Sequence, residues 1–361
     1  LIYPIKAKFK KLIYMHATIW VGMLSFNTSA TSIYEFNIED YKSAPVISID
    51  SSVDASFYRD IPYGDNEFAK LDLFRVNDLD NAPVVLYLHG GSFIGGDKSS
   101  SKIQADVNQF LKAGVNFIAV NYSLLDVDRI DSTGIRKSLN DVAHAIQYIR
   151  SNATQFSIDK QRVAIYGEST GANLALWVGL SDDLANNQST NLIERESTTV
   201  SAIAAIEAQG SLDFLQWENL IFAPYGFKLD LLAQNDFSWY LASYYGLDNT
   251  NLDQVLSILR DGQSDILTYR AFIDILNKLD PLDPPVFISN TRAPVDLQET
   301  LNQGDLQKTL YSLFHHQLHV ATFVERAIQA GIVVDAHAPE VGIYKESTNE
   351  IEFLINKLIH Q

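Results

Sequence analysis

The sequence predicts an α/β fold, with a mostly parallel central sheet, helices on both faces and a cap-like insertion. Three observations predict it. Short apolar runs of strand length alternate with longer segments of helical period from residue 68 onward, the rhythm of a wound sheet. Hydrophobic residues make up 47% of the 361-residue chain, enough to bury one large core without a second unit. Cysteine is absent, which excludes a disulfide scaffold, a thiol nucleophile and thiolate-bound zinc.

The elements follow in order. Phe68 to Val76 alternates apolar and polar residues and reads as an early edge strand, and Val84 to Leu88 is apolar throughout, as a strand buried on both faces must be. Ser99 to Ala113 reads as helix, Val115 to Asn121 as strand and Ser138 to Ser151 as helix. Arg162 to Tyr166 is the next strand, and Thr170 to Leu180 the helix behind it. After a polar connection, Val200 to Ala208 supplies another strand. Leu212 to Asp248 is rich in Phe, Trp and Tyr without a clean period, which suits an insertion over the sheet, and residues 212–280 are the candidate cap. Pro285 to Ser289 and Ile332 to His337 read as the last two strands, and Ile351 to Ile359 as a closing helix.

Chemistry enters at two glycine motifs. Gly167-Glu168-Ser169-Thr170-Gly171 joins an apolar strand to a helix, the setting in which a serine is held on a strained turn with its hydroxyl free to attack an acyl carbon. Gly167 and Gly171 let strand and helix approach without a Cβ between them. Upstream, Val84 to Leu88 runs into His89-Gly90-Gly91-Ser92-Phe93, a turn able to aim backbone N–H groups at one point. Gly91, Ser92 and Thr170 are therefore the expected oxyanion-hole donors. His89 sits on the strand side of its turn and is expected to brace the loop. The glycine-rich run lacks the Gly-Lys-Ser/Thr ending of a phosphate loop.

With these residues in view, roughly residues 62 to 337 resemble an α/β-hydrolase of the carboxylesterase, hormone-sensitive-lipase-like and feruloyl-esterase-like group. Gly95-Gly96-Asp97-Lys98, Asn121-Tyr122, Asp141 and Ala145 also fall where that group places oxyanion-loop, strand-end and helix residues. The resemblance implies a cofactor-free hydrolase of carboxylic esters, including short acyl, acetyl-sugar and feruloyl esters. It also implies a catalytic acid after the penultimate strand and a histidine after the last. Here the chain departs from the pattern. Arg292, Ala293 or Pro294 stands in the acid slot with Asp296 a few positions late, and Val341 stands in the histidine slot.

The expected triad is Ser169 with Asp296 and His337, the histidine nearest the required place. His315, His316 and His319 introduce a helix around Val320 to Gln329, where a polar helix start explains them, and His360 ends the last helix. Asp335 and Glu340 are alternative partners for the ring. A serine without an oriented base is a poor nucleophile, so a ligand-binding protein that has lost catalysis stays open beside the esterase, as does formamide or amide hydrolysis. Phe93, Trp217, Tyr225, Phe237, Trp239 and Tyr240 are expected to line an apolar acyl or phenolic slot, with cap packing as the alternative. No metal site is expected, because the His316 and His319 pair lacks a third ligand at convincing spacing.

Charge and the amino-terminal region bound the partners. Twenty-seven basic against 44 acidic residues give a formal charge of −17, which argues against nucleic-acid binding; a small-molecule ester is the partner that the resemblance implies. Lys6, Lys8, Lys10 and Lys11 precede an apolar stretch from Leu12 to Leu24 and then Thr28-Ser29-Ala30, which reads as a signal peptide over residues 1–30. The expected destination is secreted or periplasmic without stable membrane insertion after cleavage; a cytoplasmic or amino-terminally anchored form is the alternative. Residues 31–361 would then be a single domain.

Overall fold

The computed structural model describes residues 36–360 apart from 101–102, 127–128, 130, 233–236, 249–250, 293–298, 300–305 and 348. The leader expected over residues 1–30, and Asp296, lie outside the described residues. Asn37–Gln361 form one compact unit.

A nine-stranded sheet organises that unit. Its strands are β1 (Lys42–Ser43), β2 (Ala55–Pro62), β3 (Lys70–Val76), β4 (Ala82–Leu88), β5 (Asn116–Val120), β6 (Ile158–Glu168), β7 (Ala202–Ile206), β8 (Val286–Ser289) and β9 (Val334–His337). They lie in the order β1-β2-β3-β5-β4-β6-β7-β8-β9. The pairs from β1 to β5 are antiparallel, and all pairs from β5 through β4 to β9 are parallel. The strand expected at an edge, β3, lies inside the sheet, because β2 and β1 pair outward from it. β2 breaks its alternation at a bulge between Tyr58 and Ile61, so no even period marks it in the sequence.

Helices of two turns or more are α1 (Gln104–Lys112), α2 (Arg136–Ser151), α3 (Thr170–Gly179), α4 (Phe237–Tyr245), α5 (Leu252–Asp261), α6 (Ser264–Ile273), α7 (Leu306–Phe314), α8 (Leu318–Ala330) and α9 (Glu350–Ile359). Val107, Phe110 and Leu111 of α1 join Ile351, Phe353, Leu354 and Leu358 of α9 on one face of the sheet, against Val85, Tyr87, Phe117, Tyr166 and Phe287. The other face takes α3, whose Gly179 approaches so closely that a Cβ there would lie 2.5 Å from Ile203 Cδ1. β4 is buried along its whole length, which accounts for its unbroken apolar run.

The cap is inserted between β7 and β8. Phe214 is its hub, packing against Trp217, Phe237, Tyr240, Tyr244, Tyr245 and Phe314 with ring centroids 4.5 to 6.5 Å apart. Phe93, Trp217, Phe237 and Tyr240 are 3%, 2%, 6% and 9% exposed, so these four belong to cap packing and not to an open slot. Edge-to-face contacts between rings satisfy their quadrupoles without ligand. Tyr225, at 41%, is the exposed member of the expected set.

Candidate active site

Ser169 sits where β6 gives way to α3, at φ 54° and ψ −117°. Such a conformation costs a non-glycine residue about 1–3 kcal/mol and persists only where its surroundings impose it. The surroundings here are tight. A Cβ on Gly167 would lie 2.4 Å from the Gly171 carbonyl carbon, and one on Gly171 would lie 2.0 Å from Leu88 O. The strand, the turn and the first turn of α3 thus interlock through residues without side chains. The Ser169 N–H donates to Ile206 O at 2.8 Å, and its carbonyl accepts from Asn173 at 3.1 Å. Ser169 is half-buried, and its hydroxyl makes no hydrogen bond among the described residues.

The loop after β4 lies directly against this turn. A Cβ on Gly90 would sit 3.4 Å from Ser169 Cβ and 3.0 Å from Glu168 O. Gly91, Ser92 and Phe93 take φ values of 130°, 53° and 59° in succession, which coils the chain back on itself. Ile94 and Gly95 both donate to Gly91 O, at 3.0 and 3.1 Å. Among the described residues, the N–H groups of Gly91, Ser92 and Thr170 donate to no other protein group, and Thr170 opens α3, so its N–H is free for an external acceptor.

The loop is braced from three sides. His89 is 3% exposed, stacks on Tyr122 with centroids 4.4 Å apart, and places Nδ1 2.8 Å from Gly90 O. Burial holds its imidazole below the usual histidine range, which suits a neutral strut. Tyr240 of α4 donates its hydroxyl to Ser92 O at 3.1 Å, tying the cap to the loop. Lys98, 3% exposed, places Nζ 2.7 Å from Asp60 and 3.0 Å from Asp72 while its N–H donates to Asn121 at 2.6 Å. Lys98→Met leaves the 1%-exposed Asp72 without its cation. We expect a loss of about 3–5 kcal/mol in urea unfolding; an unchanged midpoint would show that the bridge anchors nothing.

Backbone pairing continues past the strand ends. Ser169 donates to Ile206 O, Glu207 to Ser289 O at 2.7 Å and Asn290 to His337 O at 2.9 Å, which lines up Ser169, Glu207 and Asn290 along the carboxyl edge of the sheet. His337 ends β9 in register with Ser289, three strands from Glu168, so their backbones are roughly 14 Å apart at the usual strand spacing. Its parity is that of Phe287 and Tyr166, the face covered by α9, and its ring lies 6.2 Å from Tyr344. Its Nδ1 is buried without a hydrogen-bond partner, and no hydrogen bond joins it to Ser169. Val341 lies in the short turn Pro339–Val341, ended by Gly342 at φ 76°.

A charged group that sequence reasoning did not single out occupies the edge beside Ser169. Glu207, directly after β7 at φ 57°, is 8% exposed. Arg292, in the expected acid slot, places Nε 2.5 Å from Glu207 Oε2, Nη2 3.9 Å from Glu168 and Nη1 2.5 Å from the Tyr311 hydroxyl. Burial raises the Glu207 carboxyl above its ordinary value, with the Arg292 guanidinium opposing. His315, between α7 and α8, brings Nδ1 to 3.4 Å from Glu207 O and 3.7 Å from Glu207 Oε2. Its two neighbours are explained structurally. His316 accepts the Leu318 N–H at 3.1 Å at the start of α8. His319 is wholly buried against Trp217 and Phe222, with Nε2 2.8 Å from Leu313 O.

Among the described residues no group of three or more His, Asp or Glu side chains is placed to hold a metal ion, and no helix is long and apolar enough to cross a membrane. The arrangement offers a strained, unengaged hydroxyl beside unengaged N–H donors, which is what acyl transfer requires.

The chain is similar to known proteins. The family model BD-FAE matches residues 71–225. Esterase LipC of Mycobacterium tuberculosis is 27% identical over 150 residues, 41% of this chain and 36% of that protein. An ethyl acetate hydrolase of Pseudomonas putida is 34% identical over 91 residues, 25% of this chain and 27% of that protein. The matched stretch thus spans about a third or less of these curated relatives' length. Among solved structures, a truncated carbohydrate esterase from gut microbiota aligns with TM-score 0.53 and 16% identity over 84% of this chain and 90% of its own. An acetyl ester-xyloside bifunctional hydrolase from Caldicellulosiruptor lactoaceticus aligns with TM-score 0.51 and 18% identity over 83% and 87%. With the sheet order, the inserted cap and the two glycine turns, these similarities give the chain an α/β-hydrolase fold, and its residues 71–225 resemble the BD-FAE family.

Proposed function

We propose that the chain is a serine carboxylic-ester hydrolase that acts on small-molecule esters through an acyl-enzyme. Ser169 is the nucleophile, and the N–H groups of Gly91, Ser92 and Thr170 receive the oxyanion of the tetrahedral intermediate. The observation that carries this reading is the strained φ of Ser169 beside Gly90, with those three N–H groups unengaged. Strain and unsatisfied donors both cost stability. Each donor is worth roughly 3 kcal/mol in the transition state, so their cost is offset there. Chain order nominates His337 with Asp296 as base and acid, whereas the His315 imidazole lies against Glu207, which follows the strand end that pairs with Ser169.

A second reading is favoured by one observation: Arg292 fills the acid slot and is paired with Glu207 and Glu168, the opposite charge to the one a catalytic acid supplies. On that reading the same pocket binds an ester-like ligand without turnover. A panel of 4-nitrophenyl acetate, acetylated xylosides, methyl ferulate and an aryl formamide separates the two. Hydrolysis of one ester class well above the buffer rate is the expected result; a folded protein inert to all of them, and unlabelled by a phosphonate ester, would leave binding alone.

A further inference from the structure

We propose that His315, held against Glu207 at the end of β7, is the general base for Ser169; this rests on Ser169 being the nucleophile. The geometry begins with the sheet edge. Ser169 donates to Ile206 O, so Glu207 follows at the neighbouring strand end, about one strand spacing of ~4.8 Å away. His315 Nδ1 faces both the carbonyl and the carboxylate of Glu207, at 3.4 and 3.7 Å. Nδ1 is thereby occupied on the Glu207 side, and Nε2 has no partner among the described residues.

The corner that carries His315 is fastened to the same edge. Gln209 Nε2 donates to Phe314 O at 2.8 Å, and the Gln209 N–H donates to Asn173 Oδ1 of α3 at 3.0 Å. Gly210 lies so close that a Cβ there would be 2.5 Å from His319 O. Gln317 donates to Arg292 O at 3.2 Å and accepts from the Glu340 N–H at 2.8 Å, joining the corner to the segments after β8 and β9. An imidazole on this corner cannot drift from the elbow without breaking those ties. His337 has no comparable link to it.

Charge around the ring also suits the step. The groups facing it are Glu207 after β7, Arg292 after β8, Tyr311 on α7 and His316 and His319 on its own corner, with Glu168 beyond Arg292. Glu207 beside the ring favours an imidazolium there, and the Arg292 guanidinium opposes it. Glu207 is a positioning residue: it orients the ring. In the first half-reaction Nε2 takes the proton from Ser169 Oγ as the Oγ–carbon bond forms and the carbonyl pair moves onto oxygen. The same proton passes to the leaving alkoxide as the carbon–oxygen bond breaks. Water repeats the sequence, giving its proton to Nε2 while its oxygen attacks, and Ser169 recovers a proton as the acid departs.

Burial and the Arg292 charge push the His315 imidazole down to about 4. A base with a lowered pKa stays neutral, and so competent, until the pH falls through that value. The wild-type pH profile of kcat/KM, read by brief pH-jump assay, should therefore keep its plateau to about pH 5 and have its acid limb near 4. An acid limb near the ordinary histidine value of ~6.5 would overturn the proposal. Arg292→Gln should move the limb upward, which a purely structural role for the ring would not produce. His315→Gln should lower kcat at least ~10³-fold with the protein folded by near-ultraviolet circular dichroism, and a larger loss in His337→Gln than in His315→Gln would give the base role to His337 instead. If Ser169→Ala is inactive and His315→Gln keeps its rate, only the base assignment falls. If Ser169→Ala keeps its rate, or wild type turns over no ester, the nucleophile reading falls and this proposal with it.

Discussion

Ser169→Ala is expected to reduce hydrolysis of the preferred ester by at least ~10⁴-fold and to abolish phosphonate labelling, with the unfolding midpoint unchanged or raised. The size follows from mechanism: without the hydroxyl no acyl-enzyme forms, and the oxyanion donors alone supply only a residual acceleration. The direction of the stability change follows from geometry. Ser169 is held at φ 54° by its neighbours, and alanine meets the same strain without a hydroxyl that needs solvent or substrate. Intact-mass measurement after phosphonate treatment reads the label, and a stoichiometric adduct on Ser169→Ala would remove Ser169 from the mechanism.

Gly171→Ala is expected to be severely damaging, costing at least about 3 kcal/mol in urea unfolding and most of the soluble yield. Its Cβ would be placed 2.0 Å from Leu88 O and 2.7 Å from His89 O, both backbone atoms that cannot rotate away. Relief would require α3 to lift from β4, which opens the turn carrying Ser169 and separates it from the Gly91 and Ser92 loop. Stability and activity should fall together. A variant with wild-type stability would show that the elbow is looser than these distances imply.

Both motifs that build the elbow were legible in the amino-acid order, because their chemistry is local. A glycine two residues before and two residues after a serine, between an apolar run and a helical one, states its steric purpose without any tertiary knowledge. The same holds for β4, whose unbroken apolar run reports burial on both faces, and for α9, whose apolar positions repeat with helical period. The short irregular strands were not legible. β1 has two residues, and β2 carries a bulge at Asp60 that shifts its register, so neither presents a period to read. Ser92 shows a different limit. A proline there would delete one N–H, but φ is 53° at Ser92 and 59° at Phe93, and proline held near −65° would rebuild the whole turn.

The amino-acid order by itself determined the fold class, the succession of strands and helices, the serine elbow and the glycine turn that faces it, since each depends on residues adjacent in the chain. It also carried the departures at Arg292 and Val341, because those slots are counted from strand ends. Only the tertiary structure decided which groups gather at the strand ends next to Ser169. Glu207, Arg292 and His315 come from three separate segments and meet because backbone pairing continues beyond β6, β7 and β8 and because Gln209 and Gln317 fasten the α7–α8 corner above it. The same tertiary contacts bury four of the expected slot aromatics, Trp217, Phe237 and Tyr240 around Phe214 and Phe93 against Tyr244. Distances between segments more than eighty residues apart are set by sheet order and packing, and neither leaves a period or a motif in the chain.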